Sequence, residues 1–223
     1  MRGLMAIDAV VFDLDGVLIQ SEEVWDQARR ALAGAADVPW PDDATAAMMG
    51  MSSPEWARYM HEEVGVPSPP DQINAAVVRF LEQRYRRELP LIEGAQAAVA
   101  RLAEHWPLGL ATSSNREIVE LVLDVSDLAR HFAVTVSSEE VGAGKPAPDV
   151  YLETVRRLET DPQQCVAIED STNGIRSAVA AGMAVIAIPN PAHAPARSAL
   201  EIAATVLDSL ADLTADAVRS AAA

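Results

Sequence analysis

The sequence predicts an α/β protein with a parallel sheet and an inserted helical domain, on three observations. Short runs of β-branched and apolar residues alternate with amphipathic helical patterns, the arrangement typical of βαβ units. Several of these runs are continuously apolar, as expected for parallel strands that helices cover on both faces. After the first run, residues 21–88 contain helical patterns and no convincing strand.

The strands and helices of the sheet domain follow from these runs in chain order. The predicted strands are residues 7–13, 108–112, 133–137, 165–169 and 184–188. The predicted helices lie near residues 94–105, 115–124, 148–159 and 173–181. Gly182 directly follows the last of these helices and is well placed to end it, because glycine readily adopts the left-handed conformation.

The helical insertion has its own start signals. Ser21 can cap a first helix, and Ser52 and Glu55 have the spacing of a capping box at the start of a second. A third helix, roughly residues 71–88, has one apolar side made of Ile73, Val77, Phe80, Leu81 and Tyr85. The predicted division is therefore a sheet domain of residues 1–20 and 89–223 and an all-helical domain of residues 21–88.

Composition excludes several classes of partner. The 223 residues include 33 acidic and 17 basic side chains, a formal net charge of −16 that repels nucleic acid. Cys165 is the only cysteine, so no internal disulfide can form. The apolar N-terminal stretch is interrupted by Asp8 before it reaches the length of a signal peptide, and no run approaches a membrane span. We expect a cytoplasmic location and neither a nucleic-acid nor a membrane partner; the oligomeric state is not predicted.

Two aspartates follow the first predicted strand. Asp13 and Asp15 are two residues apart, so an extended strand directs both side chains to the same side, and Gly16 then allows a sharp turn. Ligands of open α/β sheets bind at the carboxyl ends of the strands. Two adjacent carboxylates either raise one pKa or recruit a cation, and both outcomes suit catalysis. The alternative is a solvated turn in which the aspartates satisfy local backbone groups.

Complementary groups follow three other predicted strands. Thr112, Ser113 and Ser114 lie between a strand and a helix, where hydroxyls and amides can meet an anion or simply cap the helix. Lys145 stands between a glycine and a proline, and could equally be a surface lysine. Glu169 and Asp170 end another strand, where an acidic pair can complete an oxygen-ligand site for Mg²⁺ or form a solvated turn. Four such groups at strand ends favour one common site.

The motifs "DLDGVL", "LATSSN", "GKPAPD" and "IEDSTNGI" occur in the order found in haloacid dehalogenase superfamily hydrolases, and the chain resembles that family. The likeness is to its capped subgroup of sugar-phosphatase and beta-phosphoglucomutase-like proteins. It implies a Rossmann-like catalytic core with residues 21–88 as a helical cap. Dehalogenases of the family lack the second aspartate, so Asp15 favours phosphoryl transfer.

The resemblance also implies a role for each site residue. Asp13 would attack phosphorus and form an aspartyl phosphate, and Asp15 would serve as general acid and base. The resemblance implies phosphate ligands at Thr112, Ser113 and Lys145, and Mg²⁺ ligands at Asp13, the Asp15 main-chain carbonyl, Asp170 and, through water, Glu169. The expected activity is Mg²⁺-dependent hydrolysis of a small phosphate monoester, with a sugar phosphate as the favoured substrate.

Two alternatives remain open from the sequence. Sugar-phosphate mutases of this group share the core motifs, but they carry a histidine where this chain has Trp25 and a cap arginine where it has Ser52 and Ser53. Trp25 could stack on a sugar or pack in the core. A receiver-like phospho-acceptor domain would signal without turnover, although it would place its acidic pair and its phospho-acceptor on different strands.

Overall fold

The computed structural model describes residues 7–222, apart from the side chain of residue 192. The first six residues of the predicted sheet domain and residue 223 lie outside this range. The described residues form a six-stranded parallel sheet in the order β3-β2-β1-β4-β5-β6. Its strands are β1 (Ala9–Phe12), β2 (Leu108–Thr112), β3 (Phe132–Ser137), β4 (Cys165–Glu169), β5 (Ala184–Ala187) and β6 (Thr205–Val206).

The predicted fold class, an α/β Rossmann-like sheet, is confirmed, and each predicted strand is present with its ends shifted by at most two residues. Strand β6 was not predicted, because two half-buried or exposed residues carry no readable periodicity. The two faces of β1 explain its continuously apolar sequence: Val10 and Phe12 pack in one core, Ala9 and Val11 in the other. This is the double burial expected of a central parallel strand.

The helices outside the first connection cover the sheet. They are α5 (Ala95–Ala103), α6 (Arg116–Val125), α7 (Asp149–Arg157), α8 (Thr172–Ala180), α9 (Arg197–Leu200) and α10 (Ala215–Ala221). Gly182 has φ +89°, and its N–H donates to the carbonyl of Val179 just after α8, as expected for a glycine that ends a helix. Among residues 7–222, no helix is both long enough and apolar enough to cross a bilayer.

The connection between β1 and β2 starts with four helices, called here the helical segment: α1 (Glu22–Ala35), α2 (Ala44–Met48), α3 (Ser53–Glu62) and α4 (Pro70–Arg87). The backbone N–H of Ser52 donates to the Glu55 carboxylate at 2.7 Å, so the predicted capping box is present. The prediction for Phe80 is wrong, because this side chain is exposed and Val78 is buried in the stripe instead. The Ser21 side chain does not cap α1.

The order of the strands brings the predicted site residues to one edge. Strand β1 lies between β2 and β4, with Phe12 beside Leu110 on one side and Ile168 on the other. Because all three strands are parallel, their carboxyl ends meet at the same edge of the sheet. The groups that follow them, including Asp13 and Glu169, are therefore neighbours despite their separation in the chain.

Candidate active site

A buried lysine joins two strand ends. Nζ of Lys145 lies 2.8 Å from Oδ1 of Asp13, directly after β1, and 2.6 Å from Oε1 of Glu169, at the end of β4. All three side chains are almost completely inaccessible to solvent. Lys145 also donates to the carbonyl of Ala111 at the end of β2. The single ammonium group thus links three neighbouring strands.

Three carboxylates cluster at this edge of the sheet. Asp13, Glu169 and Asp170 each offer an oxygen, and these oxygens lie within 4.8 Å of one another. Burial raises the pKa of Asp13 to about 8, although the adjacent Lys145 opposes this rise. Burial and the charge of Glu169 also raise the pKa of Asp170 well above its ordinary value. One ammonium cannot balance three buried carboxylates, so the site favours protons or an added cation.

The donors present fit a divalent cation that prefers oxygen. Oδ1 of Asp170 is buried and has no hydrogen-bond partner anywhere in residues 7–222. Gly16 has φ +79°, and a Cβ there would lie 2.0 Å from Oδ2 of Asp170, so only glycine lets the backbone pass this close. Carboxylate and carbonyl oxygens are the ligands that Mg²⁺ takes in proteins.

Glu169 is the most fully hydrogen-bonded of the three carboxylates. Its Oε1 accepts from Lys145 and from the Tyr151 hydroxyl at 2.7 Å, and its Oε2 accepts from the N–H groups of Asp170 and Ser171. These bonds orient Glu169 to hold Lys145, and its role as a water-mediated metal ligand stays a prediction. Sequence reasoning missed Tyr151, because a tyrosine on the buried face of α7 resembles an ordinary core residue.

Asp15 occupies a different environment from the acidic cluster. Its Oδ1 accepts from the Ser21 hydroxyl at 2.5 Å and from Nε1 of Trp25 at 3.1 Å. Its Oδ2 accepts from the hydroxyls of Ser114 at 2.7 Å and Thr112 at 3.2 Å. Four donors therefore fix this carboxylate from two sides of the site. The Ser21 hydroxyl thus donates to Asp15 and does not cap α1.

The hydroxyls of the "LATSSN" segment are engaged within the protein. Thr112 donates to Asp15 and accepts the N–H of Ser114. The Ser113 hydroxyl donates to the carbonyl of Gly50 in the helical segment at 3.0 Å. Both residues lie at the site, but these bonds occupy their hydroxyl protons, and phosphate binding by Thr112 and Ser113 stays a prediction. The sequence placed Ser114 with Thr112 and Ser113 as a possible anion-binding hydroxyl but gave it no role in the reaction, and it did not predict the bond to Asp15.

The helical segment closes over the strand ends and leaves a cavity of about 110 Å³. Besides the bonds of Ser113 and Trp25, the hydrogen bonds that join the two parts include Asn173 to the carbonyl of Met49 at 3.1 Å and Asn115 to Asn74 at 3.0 Å. The cavity is lined by Asp13, Asp15, Ser21, Glu22, Trp25, Arg29, Thr45, Met48, Met49, Gly50, Met51, Trp56, Ser113, Ser114, Lys145, Asp170, Ser171 and His193. It encloses both aspartates of the opening motif together with apolar side chains from the helical segment.

Trp25 both packs against a core residue and contacts a predicted catalytic residue. It packs edge-to-face on Trp56 with ring centroids 5.9 Å apart, and it also lines the cavity and donates to Asp15. The guanidinium of Arg29 lies 5.0 Å and 4.9 Å from the two indole centroids. The sequence singled out Trp25 as an aromatic of uncertain role, and it did not point to Trp56 or Arg29 at all.

The fold and the site define a Rossmann-like enzyme whose acidic centre, with one buried lysine, lies at the carboxyl ends of three parallel strands. A family model described as haloacid dehalogenase-like hydrolase matches residues 7–182. The chain belongs to this family, which confirms the predictions of family and of hydrolase class.

Relatives with established names share nearly the whole chain. Hexitol phosphatase B from Escherichia coli (strain K12) is 33% identical over 213 residues, covering 93% of this chain and 94% of that protein. A probable pseudouridine-5'-phosphatase from Drosophila melanogaster is 32% identical over 94% of this chain and 92% of its own length. Among solved structures, a mutant of CbbY from Rhodobacter sphaeroides in complex with xylulose-(1,5)bisphosphate superposes with a TM-score of 0.83, at 28% identity over 95% of this chain and 99% of that one.

Proposed function

We propose that this protein is a Mg²⁺-dependent phosphatase that hydrolyses a small phosphorylated sugar or sugar alcohol through an aspartyl phosphate on Asp13. The observation that carries the proposal is the pairing of Asp13 with Lys145 at 2.8 Å in a cavity where Oδ1 of Asp170 has no hydrogen-bond partner among residues 7–222. A nucleophilic carboxylate, a fixed cation and an oxygen-ligand site are the parts that phosphoryl transfer requires.

Asp13 is the proposed nucleophile. Its carboxylate oxygen attacks phosphorus, the bond from phosphorus to the ester oxygen breaks, and water later attacks the aspartyl phosphate to release inorganic phosphate. Lys145 stabilises the negative charge on Asp13 and then that on the phosphoryl oxygens. The bonds from Glu169 and Ala111 hold the ammonium group in place, so it needs little reorganisation during the reaction.

Asp15 is the proposed general acid and base. In the first step it gives a proton to the leaving alcohol, and in the second it takes one from the attacking water. Its four donors orient the carboxylate towards the cavity and leave it outside the acidic cluster of Asp13. The two aspartates of one strand end thus have different surroundings, which supports different roles.

Mg²⁺ fits the oxygen donors at the strand ends. Asp13, Asp170 and the main-chain carbonyl of Asp15 would hold it, with Glu169 acting through water. When bound, the ion supplies charge that lowers the repulsion between an anionic nucleophile and an anionic ester. The residues proposed as phosphate ligands are Thr112, the Ser113 amide and Lys145.

Residues 21–88 are the proposed cap domain, and residues 1–20 with 89–223 the catalytic core. The helical segment supplies the apolar lining of the cavity, which supports a role in choosing the substrate. The preference for sugar and polyol phosphates is supported by the hexitol phosphatase and by the sugar bisphosphate bound to CbbY. Mutases of this group carry a histidine at the position of Trp25, and here the indole N–H donates to Asp15 instead. No contact in residues 7–222 therefore favours the mutase alternative.

The proposal is tested by phosphate release from a panel of sugar, polyol, nucleotide and glycolate phosphates, with and without Mg²⁺. Asp13→Asn should abolish turnover with the fold intact, and Asp8→Asn, an exposed aspartate just before β1, is the matched control. Asp15→Asn should accumulate protein that is heavier by one phosphoryl group in intact mass spectra. Normal turnover by Asp13→Asn would reject the mechanism. Conversion of a hexose 1-phosphate mainly into its 6-phosphate isomer would favour the mutase.

A further inference from the structure

A second cationic side chain lines the cavity. Arg29 of α1 is 8% exposed, and its guanidinium is stacked against the rings of Trp25 and Trp56. Its Nε is buried and has no hydrogen-bond partner, and the guanidinium makes no ion pair within residues 7–222. The other cationic side chain that lines the cavity, Lys145, is fully engaged by Asp13 and Glu169.

The carboxylates nearest to Arg29 are already bound to other groups. Asp15 and Asp26 are the charges that act on the guanidinium. Asp15 accepts from Ser21, Trp25, Thr112 and Ser114, and Asp26 is paired with Arg30 at 2.5 Å. Burial lowers the pKa of Arg29 to about 10, which still leaves the group protonated at neutral pH. Within residues 7–222, no carboxylate therefore forms a direct ion pair with this buried cation.

Such a cation is costly unless something pairs with it, because burying an unpaired charge is strongly unfavourable. The guanidinium carbon lies 5.0 Å and 4.9 Å from the two indole centroids, and the buried Nε–H has no acceptor among the described residues. That geometry suits a carboxylate or phosphate, which a planar guanidinium can bind through two parallel hydrogen bonds. The missing counter-ion is thus expected to arrive with a ligand.

The position of Arg29 indicates which part of the ligand carries this anion. Arg29 stacks on Trp25, and Nε1 of Trp25 donates to Asp15, so the guanidinium lies on the Asp15 side of the cavity. In the proposed reaction Asp13 meets phosphorus and Asp15 meets the leaving alcohol. We infer that Arg29 binds a second anionic group, a carboxylate or a second phosphate, on the leaving alcohol of the substrate. The inference rests on the proposed function and narrows its substrate class to phosphate esters of acids or bisphosphates.

The test compares esters that differ only at the far end of the alcohol. Phosphogluconate and glucitol phosphate, both esterified at the sixth carbon, carry a carboxylate and a CH₂OH at the first carbon, and glucitol bisphosphate carries a phosphate there. The values of kcat/KM are measured for wild type, Arg29→Met and Arg30→Met. Arg30 is the matched control because it also stacks on an indole, that of Trp40, but is half-exposed and paired with Asp26.

We expect wild type to prefer at least one of the two anionic esters over the neutral one. Arg29→Met should lower that preference roughly 10- to 100-fold, the range for a hydrogen bond to a charged group. Arg30→Met should leave the preference unchanged. The same interaction can be tested in wild type alone, because the ratio of kcat/KM for the anionic and neutral esters should fall as the salt concentration increases.

Each outcome decides one question. Equal kcat/KM values for the anionic and neutral esters in wild type, or an unchanged preference in Arg29→Met, would overturn the inference while hydrolysis itself upheld the proposed function. If Arg29→Met lowered hydrolysis of all esters equally, Arg29 would be a structural support for Asp15 and the inference would be wrong. If no phosphate ester were hydrolysed, the proposed function would fail and the inference with it.

Discussion

Replacing Lys145 by methionine tests how the buried charges of the site are balanced. The substitution keeps a similar volume and removes the ammonium group that lies 2.8 Å from Asp13 and 2.6 Å from Glu169. Both carboxylates then stay buried without their partner. Breaking a buried ion pair on one side costs about 3–5 kcal/mol of unfolding free energy. For a protein of this size that corresponds to a Tm lower by roughly 6–20 °C.

Arg157→Met is the matched control for this change. Arg157 also pairs with two carboxylates, Glu140 at 2.8 Å and Glu153 at 2.7 Å, but all three side chains are partly exposed. Solvent-exposed ion pairs of this kind contribute less than about 1 kcal/mol to the free energy of unfolding. The two variants therefore remove the same number of ion pairs and differ in burial.

The assay is thermal unfolding followed by circular dichroism, with phosphate release measured on the same preparations. Lys145→Met should lose turnover and show the large decrease in Tm, whereas Arg157→Met should keep both close to wild type. Equal Tm values for the two variants would refute the reasoning that burial makes the Lys145 pairs strong. Lys145 is the only lysine in the sequence, so amine-specific labelling followed by peptide mapping, which separates it from the α-amino group, can also report its accessibility without mutation.

Three further predictions address the metal site and the second aspartate. Burial raises the pKa of Asp170, so without metal its protonated form stabilises the fold at low pH, and this stability is lost as pH rises. Mg²⁺ should therefore raise Tm more at about pH 8 than at about pH 5. An equal rise in Tm at the two pH values would argue against the metal site. Gly16→Ala should abolish the Mg²⁺-dependent rise in Tm, because its Cβ would lie 2.0 Å from the Asp170 carboxylate, whereas Gly34→Ala, with open space around it, should not. Trp25→Phe removes one donor to Asp15 and should lower kcat up to about tenfold with little change in KM; a kcat equal to wild type would show that the indole N–H is dispensable.

Much of the fold was predictable because its signals are local. A continuously apolar run such as that of β1 indicates a strand that is buried on both faces. A glycine such as Gly182 indicates a residue with left-handed backbone conformation that ends a helix. Asp13 and Asp15 were found for the same reason, since their spacing alone places them on one side of a strand end. Phe80 was predicted wrongly because the helical period indicates a face but not how far the neighbouring helices cover it.

The partners of the site residues could not be read from the sequence. The bond from Thr112 to Asp15 spans 97 positions, and the bond from Tyr151 to Glu169 connects α7 to the end of β4. Ser21 carries the signal of a helix cap, yet its hydroxyl donates to Asp15 instead. Such choices depend on which donor is nearest once the elements have packed, and no periodic pattern records them.

By itself the sequence determined the α/β class, the strands that precede the site residues and the identity of the charged groups at their ends. Burial pattern and residue type can be recognised in short stretches of sequence. Only the tertiary structure decided that Lys145 lies between two carboxylates, that Oδ1 of Asp170 has no hydrogen-bond partner among the described residues and that Arg29 lies against two indoles without an ion pair in residues 7–222. These properties arise from distances between elements that are far apart in the chain, and electrostatic balance in a buried site is set by those distances.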